Sequence, residues 1–311
     1  MTVTWDDEVD DVLAADLTAA LGYRTPAGGV VVQSVAPIGL RDREAGTIGF
    51  TTSLGFSKKL ERIERDPRVA MAFHAREHGR SDSTSYVLVQ GRARVIAQPS
   101  EEQRERVRTQ ATAYLGPPRE GWFWDRWLQQ YYMVRVPVDI EVDRVVTWSG
   151  LNCAGSPRVD GEALPTGEPD AQSAPKKGTG PRLNVDRAAR RLRGTDHTLI
   201  GYAGVDGLPV VLPVDLAAVT ESGLEFTGAA ALPAGGRRAG LLGHTYRPQL
   251  IGLETRQYTG WLEVSPEGRS IYAPHTEVGY KAPANKTLLL LLNGALAKRG
   301  VRAAKRAQKA G

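Results

Sequence analysis

Cysteine is nearly absent: Cys153 is the only one in 311 residues. That excludes a disulfide framework and a cysteine-rich zinc site, and it makes a reducing, cytoplasmic setting the expectation. Histidine is almost as scarce, five in all, and none forms a close ligand pair along the chain, so no metal site is expected. Long apolar runs are missing as well. The longest, Leu288 to Leu292, is far short of a membrane span. The N-terminus, MTVTWDDEVDDVL, is acidic where an export signal would be basic and then apolar. A net positive body is also missing. The formal charge is +5, but Lys281, Lys286, Lys298, Arg299, Arg302, Lys305, Arg306 and Lys309 all follow Val278 with no acid among them, which leaves −3 on the rest. The basic character belongs to the tail, and the body gives no nucleic-acid signal.

What is present is a chain long enough for two domains. Residues 1–21 read as a lead-in helix, with Val9, Val12, Leu13, Leu17 and Leu21 at helical spacing behind an acidic start. Residues 22–150 hold β-branched runs, Gly22 to Val35, Gly46 to Thr52, Val69 to Phe73, Tyr86 to Ile96 and Val134 to Trp148, separated mostly by turns, a pattern that closes economically as a small barrel. Residues 151–184 are rich in Gly, Pro, Ser and charge with no hydrophobic period, and read as a linker or long loop. The pattern then restarts over 185–280. Gly201 to Val214 aligns with Gly22 to Val35 without a gap, matching Gly22/Gly201, Tyr23/Tyr202, Gly28/Gly207, Val31/Val210, Val32/Val211 and Val35/Val214. Phe226-Thr227 answers Phe50-Thr51, Gly236-Arg237-Arg238 answers Ser57-Lys58-Lys59, and Gly260 answers Gly91. Two copies of one domain are expected. Residues 281–311 read as a basic C-terminal helix or tail.

The stretch from Phe50 to Phe73, FTTSLGFSKKLERIERDPRVAMAF, reads as strand, turn, short helix and strand. Ser57, Lys58 and Lys59 stand where the helix begins, Leu60 and Ile63 give its buried face, and Asp66-Pro67 stops it. Unpaired N–H groups and the positive dipole end at a helix start favour an anion, and adjacent lysines supply counter-charge, so this turn is a candidate phosphate seat. A serine-capped surface helix with solvated lysines is the alternative. Trp122, Phe123, Trp124, Trp127, Tyr131 and Tyr132 crowd into eleven residues. Trp124, Trp127 and Tyr131 share one helical face, which suits core or interface packing; the functional alternative is a wall, with Trp122, for a flat cofactor or substrate. His244 and His275 each lie near a proline and are read as structural.

The segment from Phe50 to Phe73 resembles the cofactor-binding turn of the pyridoxamine 5′-phosphate oxidase-like FMN-binding split-barrel family. The resemblance lies in a strand ending in Thr, the triplet Ser57-Lys58-Lys59, a short helix, and Asp66-Pro67-Arg68-Val69 opening the next strand, followed by Gly91-Arg92-Ala93. It implies a mainly β fold with short helices: two split β-barrels, the second degenerate, forming a pseudo-dimer within one chain, with a homodimer also open. It implies FMN, with the deazaflavin F420 as alternative, held by Thr51, Thr52, Ser53, Ser57, Lys58 and Lys59, and a second phosphate site at Arg237 and Arg238. The family's substrate-gripping arginine and histidine motif is missing, and its cofactor-contacting glutamine is replaced by Tyr86, so vitamin B6 oxidation is not expected. The function implied is a flavin- or F420-dependent oxidoreductase passing hydride equivalents to a small hydrophobic acceptor. The alternative is a non-catalytic cofactor- or haem-binding protein. No catalytic residue is assigned, because the cofactor would supply the chemistry.

Overall fold

The computed structural model describes residues 2–53, 57–116, 135–285, 287, 288 and 291. Its first half runs α1 (Asp7–Ala15), β1 (Ala19–Arg24), β2 (Val30–Val35), β3 (Arg41–Asp42), β4 (Thr47–Ser53), α2 (Ser57–Arg65), β5 (Arg68–Phe73), β6 (Tyr86–Val95), α3 (Glu101–Leu115), β7 (Arg135–Trp148) and β8 (Arg158–Gly161). The second half runs α4 (Val185–Leu192), β9 (His197–Ala203), β10 (Pro209–Pro213), β11 (Asp215–Thr220), β12 (Gly223–Thr227), β13 (Gly235–Thr245), β14 (Glu254–Val264) and β15 (Ser270–Lys281). A short 3-10 turn, Pro248–Leu250, joins β13 to β14.

The strand order of the first sheet is β2-β1-β5-β6-β7-β4-β3, with β8 added on β7; that of the second is β10-β9-β13-β14-β15-β12-β11. Renumbered from its own first strand, the second order is the first again. The fold is thus mainly β, two antiparallel sheets of one topology, as the repeat predicts. Matched glycines occupy matched places. Gly91 and Gly260 each sit at the bulge where β6 meets β7 and β14 meets β15. A Cβ at Gly91 would stand 2.0 Å from the Glu141 carbonyl oxygen, and one at Gly260 would stand 2.2 Å from that of Ala273. Only glycine allows so close a backbone approach.

Strand alternation explains the continuous apolar runs. In β1, Leu21 and Tyr23 point into the first core while Ala20 points away from it; in β5, Val69, Met71 and Phe73 point in while Ala70 and Ala72 point away. The outward residues are also buried, because they join Tyr86, Leu88, Leu199, Val211, Leu212 and Leu242 in a second apolar cluster between the halves. Strands covered on both faces read as unbroken hydrophobic runs. The second half has its own core around Ile200, Phe226, Leu241, Leu262 and Tyr272. The two halves meet reciprocally: a Cβ at Gly22 would press on Val211 at 2.8 Å, and one at Gly201 on Val32 at 2.4 Å. Because Gly22 matches Gly201 and Val32 matches Val211, this is a self-complementary contact of the kind a two-fold axis generates, inside one chain.

Two segments differ from their sequence reading. The helix expected up to Leu21 stops at Ala15, and Ala19–Arg24 form a strand hydrogen-bonded to both β2 and β5. Of the residues that extended the helical spacing, Leu21 is buried in the first core and Leu17 in a separate cluster with Ala75 and Tyr246. The segment 151–184 contributes β8 to the first sheet and then crosses the second half, where Gln172 N donates to Gly236 O at 2.7 Å. The aromatic patch with Trp122, Trp124, Trp127 and Tyr131, and the tail after 291, lie outside the described residues.

Candidate functional site

The end of β4 and the first turn of α2 form the predicted phosphate seat. The ladder to β7 pairs Thr51 with Pro137, Thr52 with Val136 and Ser53 with Arg135. Thr51 and Thr52 are both buried. The Thr52 hydroxyl oxygen is buried without a hydrogen-bond partner, an arrangement that native structures rarely leave unexplained. Lys58 and Lys59, both expected at that seat, differ in setting. Lys58 is exposed to solvent, whereas Lys59 is 5% exposed and holds its ammonium 5.5 Å from the centre of the Phe50 ring. Phe50 and Thr52 share one face of β4, so the cation lies on the face that carries the unpartnered hydroxyl. Ser57 opens α2. A phosphate needs donors and positive charge in a partly dry setting; Thr52, Lys59 and the helix start supply both. The residues present therefore fit a phosphate-bearing cofactor.

The place of Arg237 and Arg238 is different. No helix lies between β12 and β13, and both arginines are in β13 rather than in a glycine turn. In register, Gly201 pairs with Gly240 as Gly22 pairs with Ala70, so Arg238 matches Arg68, not Lys59. Arg237 is 1% exposed. It donates to the carbonyls of Pro169 (3.3 Å), Pro233 (3.1 Å) and Ala234. Burial pulls its pKa down. Arg238 donates to Gln172 and lies over the Trp261 ring. The guanidinium of Arg237 is thus engaged in holding the crossing segment to the second sheet.

The sequence reading missed a cluster of histidines between the halves. His74, just after β5, and His244, near the end of β13, are matched residues of the repeat, and their Nε2 atoms are 2.7 Å apart. His197 lies with its ring centre 5.4 Å from that of His74 and 5.2 Å from that of His244. Tyr246 stacks on His244 and faces His78. Four of the chain's five histidines therefore meet here, brought together by segments some 170 residues apart. The available signal was the repeat register, which puts 74 opposite 244. Among the described residues, no three His, Cys, Asp or Glu side chains are arranged to hold a metal ion. Burial depresses both histidines, His74 to about 3 and His244 well below the ordinary value, and neighbouring imidazoles add to it.

Tyr86 is fully buried and donates its hydroxyl across the interface to Val211 O at 2.7 Å. No described helix is long and apolar enough to cross a membrane. No family model and no curated protein matches the chain. Among solved structures it is similar to a conserved hypothetical protein from Mycobacterium tuberculosis, with 23% identity over 48% of this chain and 87% of that one, TM-score 0.36. It is similar to a protein of the pyridoxinephosphate oxidase family, related to general stress protein 26, from Clostridium acetobutylicum, with 7% identity over 49% and 90%, TM-score 0.34. A pyridoxamine 5′-phosphate oxidase-related FMN-binding protein from Nostoc punctiforme is similar at 11% identity over 42% and 74%, TM-score 0.28. Each of these likenesses to pyridoxamine 5′-phosphate oxidase-like and other proteins spans just under half of the present chain.

Proposed function

We propose that this chain is a flavin-dependent oxidoreductase whose first half holds the phosphate of FMN, or of F420, between the end of β4 and the start of α2. The observation that carries the reading is the pairing of an unpartnered buried hydroxyl, Thr52, with the buried ammonium of Lys59 on one face of β4. When bound, the cofactor supplies hydride chemistry. The protein's part is to bind and to exclude water. Lys59 provides charge in a setting where burial strengthens it, Thr52 and the α2 N–H groups provide directed donors, and the apolar neighbours keep the seat dry. The acceptor is a small hydrophobic molecule.

Lys59→Met removes the charge and keeps the packing volume. It is expected to weaken FMN binding tenfold to a hundredfold, about 1.5–3 kcal/mol, the range for hydrogen bonds to charged groups. Lys58→Met is expected to change it less than threefold, since that side chain is in water. Titration of each variant with FMN and with F420, read by fluorescence, separates the two cofactors. Anaerobic reduction followed by reoxidation with quinones or enones tests turnover. Equal effects at Lys58 and Lys59, or no effect at either, would move the site elsewhere. Binding without reoxidation would leave a cofactor-binding protein.

A further inference from the structure

The contacts between the halves are not alike at their two ends. β5 starts beside the end of β1, Tyr23 pairing with Val69, and finishes beside its start, Ala20 pairing with Ala72. At the starting end the cross-contacts are made by arginine and amide donors: Arg24 Nη1 to Gly207 O at 3.0 Å, Gln90 Nε2 to Pro209 O at 2.6 Å, and Arg144 to Asp206. At the finishing end the polar contacts involve histidines, Glu77 and Tyr246, beside an apolar contact of Leu17 and Ala75 with Tyr246. The polar ones are His74 to His244, His197 Nε2 to Glu77 Oε2 at 3.2 Å, and Tyr246 hydroxyl to Glu77 O at 2.7 Å.

The hydrogen bonds fix the protons of the histidine pair. His74 Nδ1 lies 3.0 Å from Ala72 O, which can only accept, so Nδ1 carries the proton and Nε2 is bare. His244 Nε2 must then donate, and its Nδ1 is the bare nitrogen, buried and without a partner. The pair holds only while both rings are neutral. A first added proton has no acceptor at His244 Nδ1 and leaves a charge in an apolar interface. A second sets two N–H groups against each other at 2.7 Å.

We propose that the histidine end is an acid-released latch: below the ordinary histidine range the two halves part at His74 and His244, while the arginine end stays closed and acts as the hinge. The sign follows from burial. Both histidines are held neutral in the closed form, so the stabilisation they give is complete above about 6.5 and is lost as pH falls, with two protons taken up on opening. The other groups facing the pair do not cancel this. Arg76 stays in the first half, bonded to Asp16 and to the carbonyls of Ser83 and Ser85. Asp16, which burial holds up at about 8 against the pull of Arg76, stays there with it and gains no proton on opening. Burial raises Tyr246, so it remains a neutral donor. His78 is exposed. His197 contacts Glu77 across the same end and lies beside both rings of the pair.

Amide hydrogen exchange of the full chain, without added cofactor and corrected for the intrinsic rate at each pH, tests this end against the other. Around residues 74–78 and 244–246, protection is expected to fall about thirtyfold between pH 6.5 and 5.5, as each of the two histidines in the open form goes from half to almost fully protonated. Residues 22–24 and 207–212 are expected to change less than threefold. His74→Gln with His244→Gln retains an amide–amide bond that does not titrate and should abolish the slope, and His275→Gln, remote from the pair, should leave it unchanged. Equal loss at both ends, or a slope that survives the double variant, would overturn the latch. If the double variant does not fold, ¹⁵N shifts of the wild-type imidazoles decide. Two neutral rings of opposite tautomer in the closed form are expected, and a charged ring in the closed form at pH 6 would overturn it.

Discussion

The two halves share seven strands in one order and differ at their connections, among them the one between the fourth and fifth. In the first half, α2 fills it, and Lys59 reaches under β4 to the Phe50 ring. In the second half, residues 228–234 cross without a helix, and the buried cation near that place, Arg237, answers backbone carbonyls. One cation lies beside an unpartnered hydroxyl; the other donates to three backbone carbonyls. A duplicated fold thus keeps its frame, which both copies need in order to pack on each other, while its connections diverge. In the second half Arg237 and Arg238 instead hold Pro169 and Gln172 of the crossing segment.

The frame should break symmetrically. Gly91→Val and Gly260→Val each drive a side chain into a carbonyl across the same bulge, at 2.0 and 2.2 Å. Each is expected to cost about 3 kcal/mol or more, the upper range for overpacking at a site that cannot relax. Urea unfolding of the two variants checks this. A large effect in one half and a small one in the other would mean that the bulges are not equivalent.

The frame was also the legible part of the sequence. Gly22, Gly28 and Gly91 recur at Gly201, Gly207 and Gly260 because close backbone approaches and left-handed turns admit few substitutes. Such positions leave a trace in one chain without any alignment. The rest was illegible for particular reasons. The match of Gly236-Arg237-Arg238 to Ser57-Lys58-Lys59 slipped because the second copy lacks the helix, and residue type alone cannot register a missing element. The order of residues 151–184 rests on remote partners, such as Gly236 O for Gln172 N and Gly28 O for Gln172 Nε2, which no local period records. The helical spacing that continued through Leu17 to Leu21 was a coincidence of two different burials, Leu21 in the first core and Leu17 against Ala75 and Tyr246. The histidines are far apart along the chain and meet only when the copies pack.

The sites should break asymmetrically. Arg237→Met leaves the carbonyls of Pro169, Pro233 and Ala234 without their donor. A loss of about 2–3 kcal/mol is expected, the cost of stranding buried polar groups, with no change in FMN affinity. Lys59→Met should show the reverse pattern, affinity falling with a smaller loss of stability. Thermal unfolding of both proteins with and without FMN makes the comparison. If Arg237→Met lowers FMN affinity as much as Lys59→Met does, the second half carries a working site after all.

The finest comparison uses a single matched turn. Gly28 and Gly207 have nearly the same left-handed backbone, φ of 81° and 78°, so alanine at either meets the same conformational penalty, about 1 kcal/mol. Their surroundings differ. A Cβ at Gly28 meets only the Gln172 amide, at 4.0 Å, whereas one at Gly207 would stand 2.3 Å from Arg68 Nη1. Arg68 can swing away, because its bidentate pair with Asp66 does not depend on Gly207, but the Nη1 contact with Asp206 O is lost with the movement. Gly207→Ala should therefore cost a few tenths of a kcal/mol more than Gly28→Ala, no more than a surface hydrogen bond contributes. Paired unfolding curves would resolve the difference. Equal costs would show that Arg68 contributes nothing to holding the halves together, and would leave the contacts of Arg24, Gln90 and Arg144 to carry the closed end.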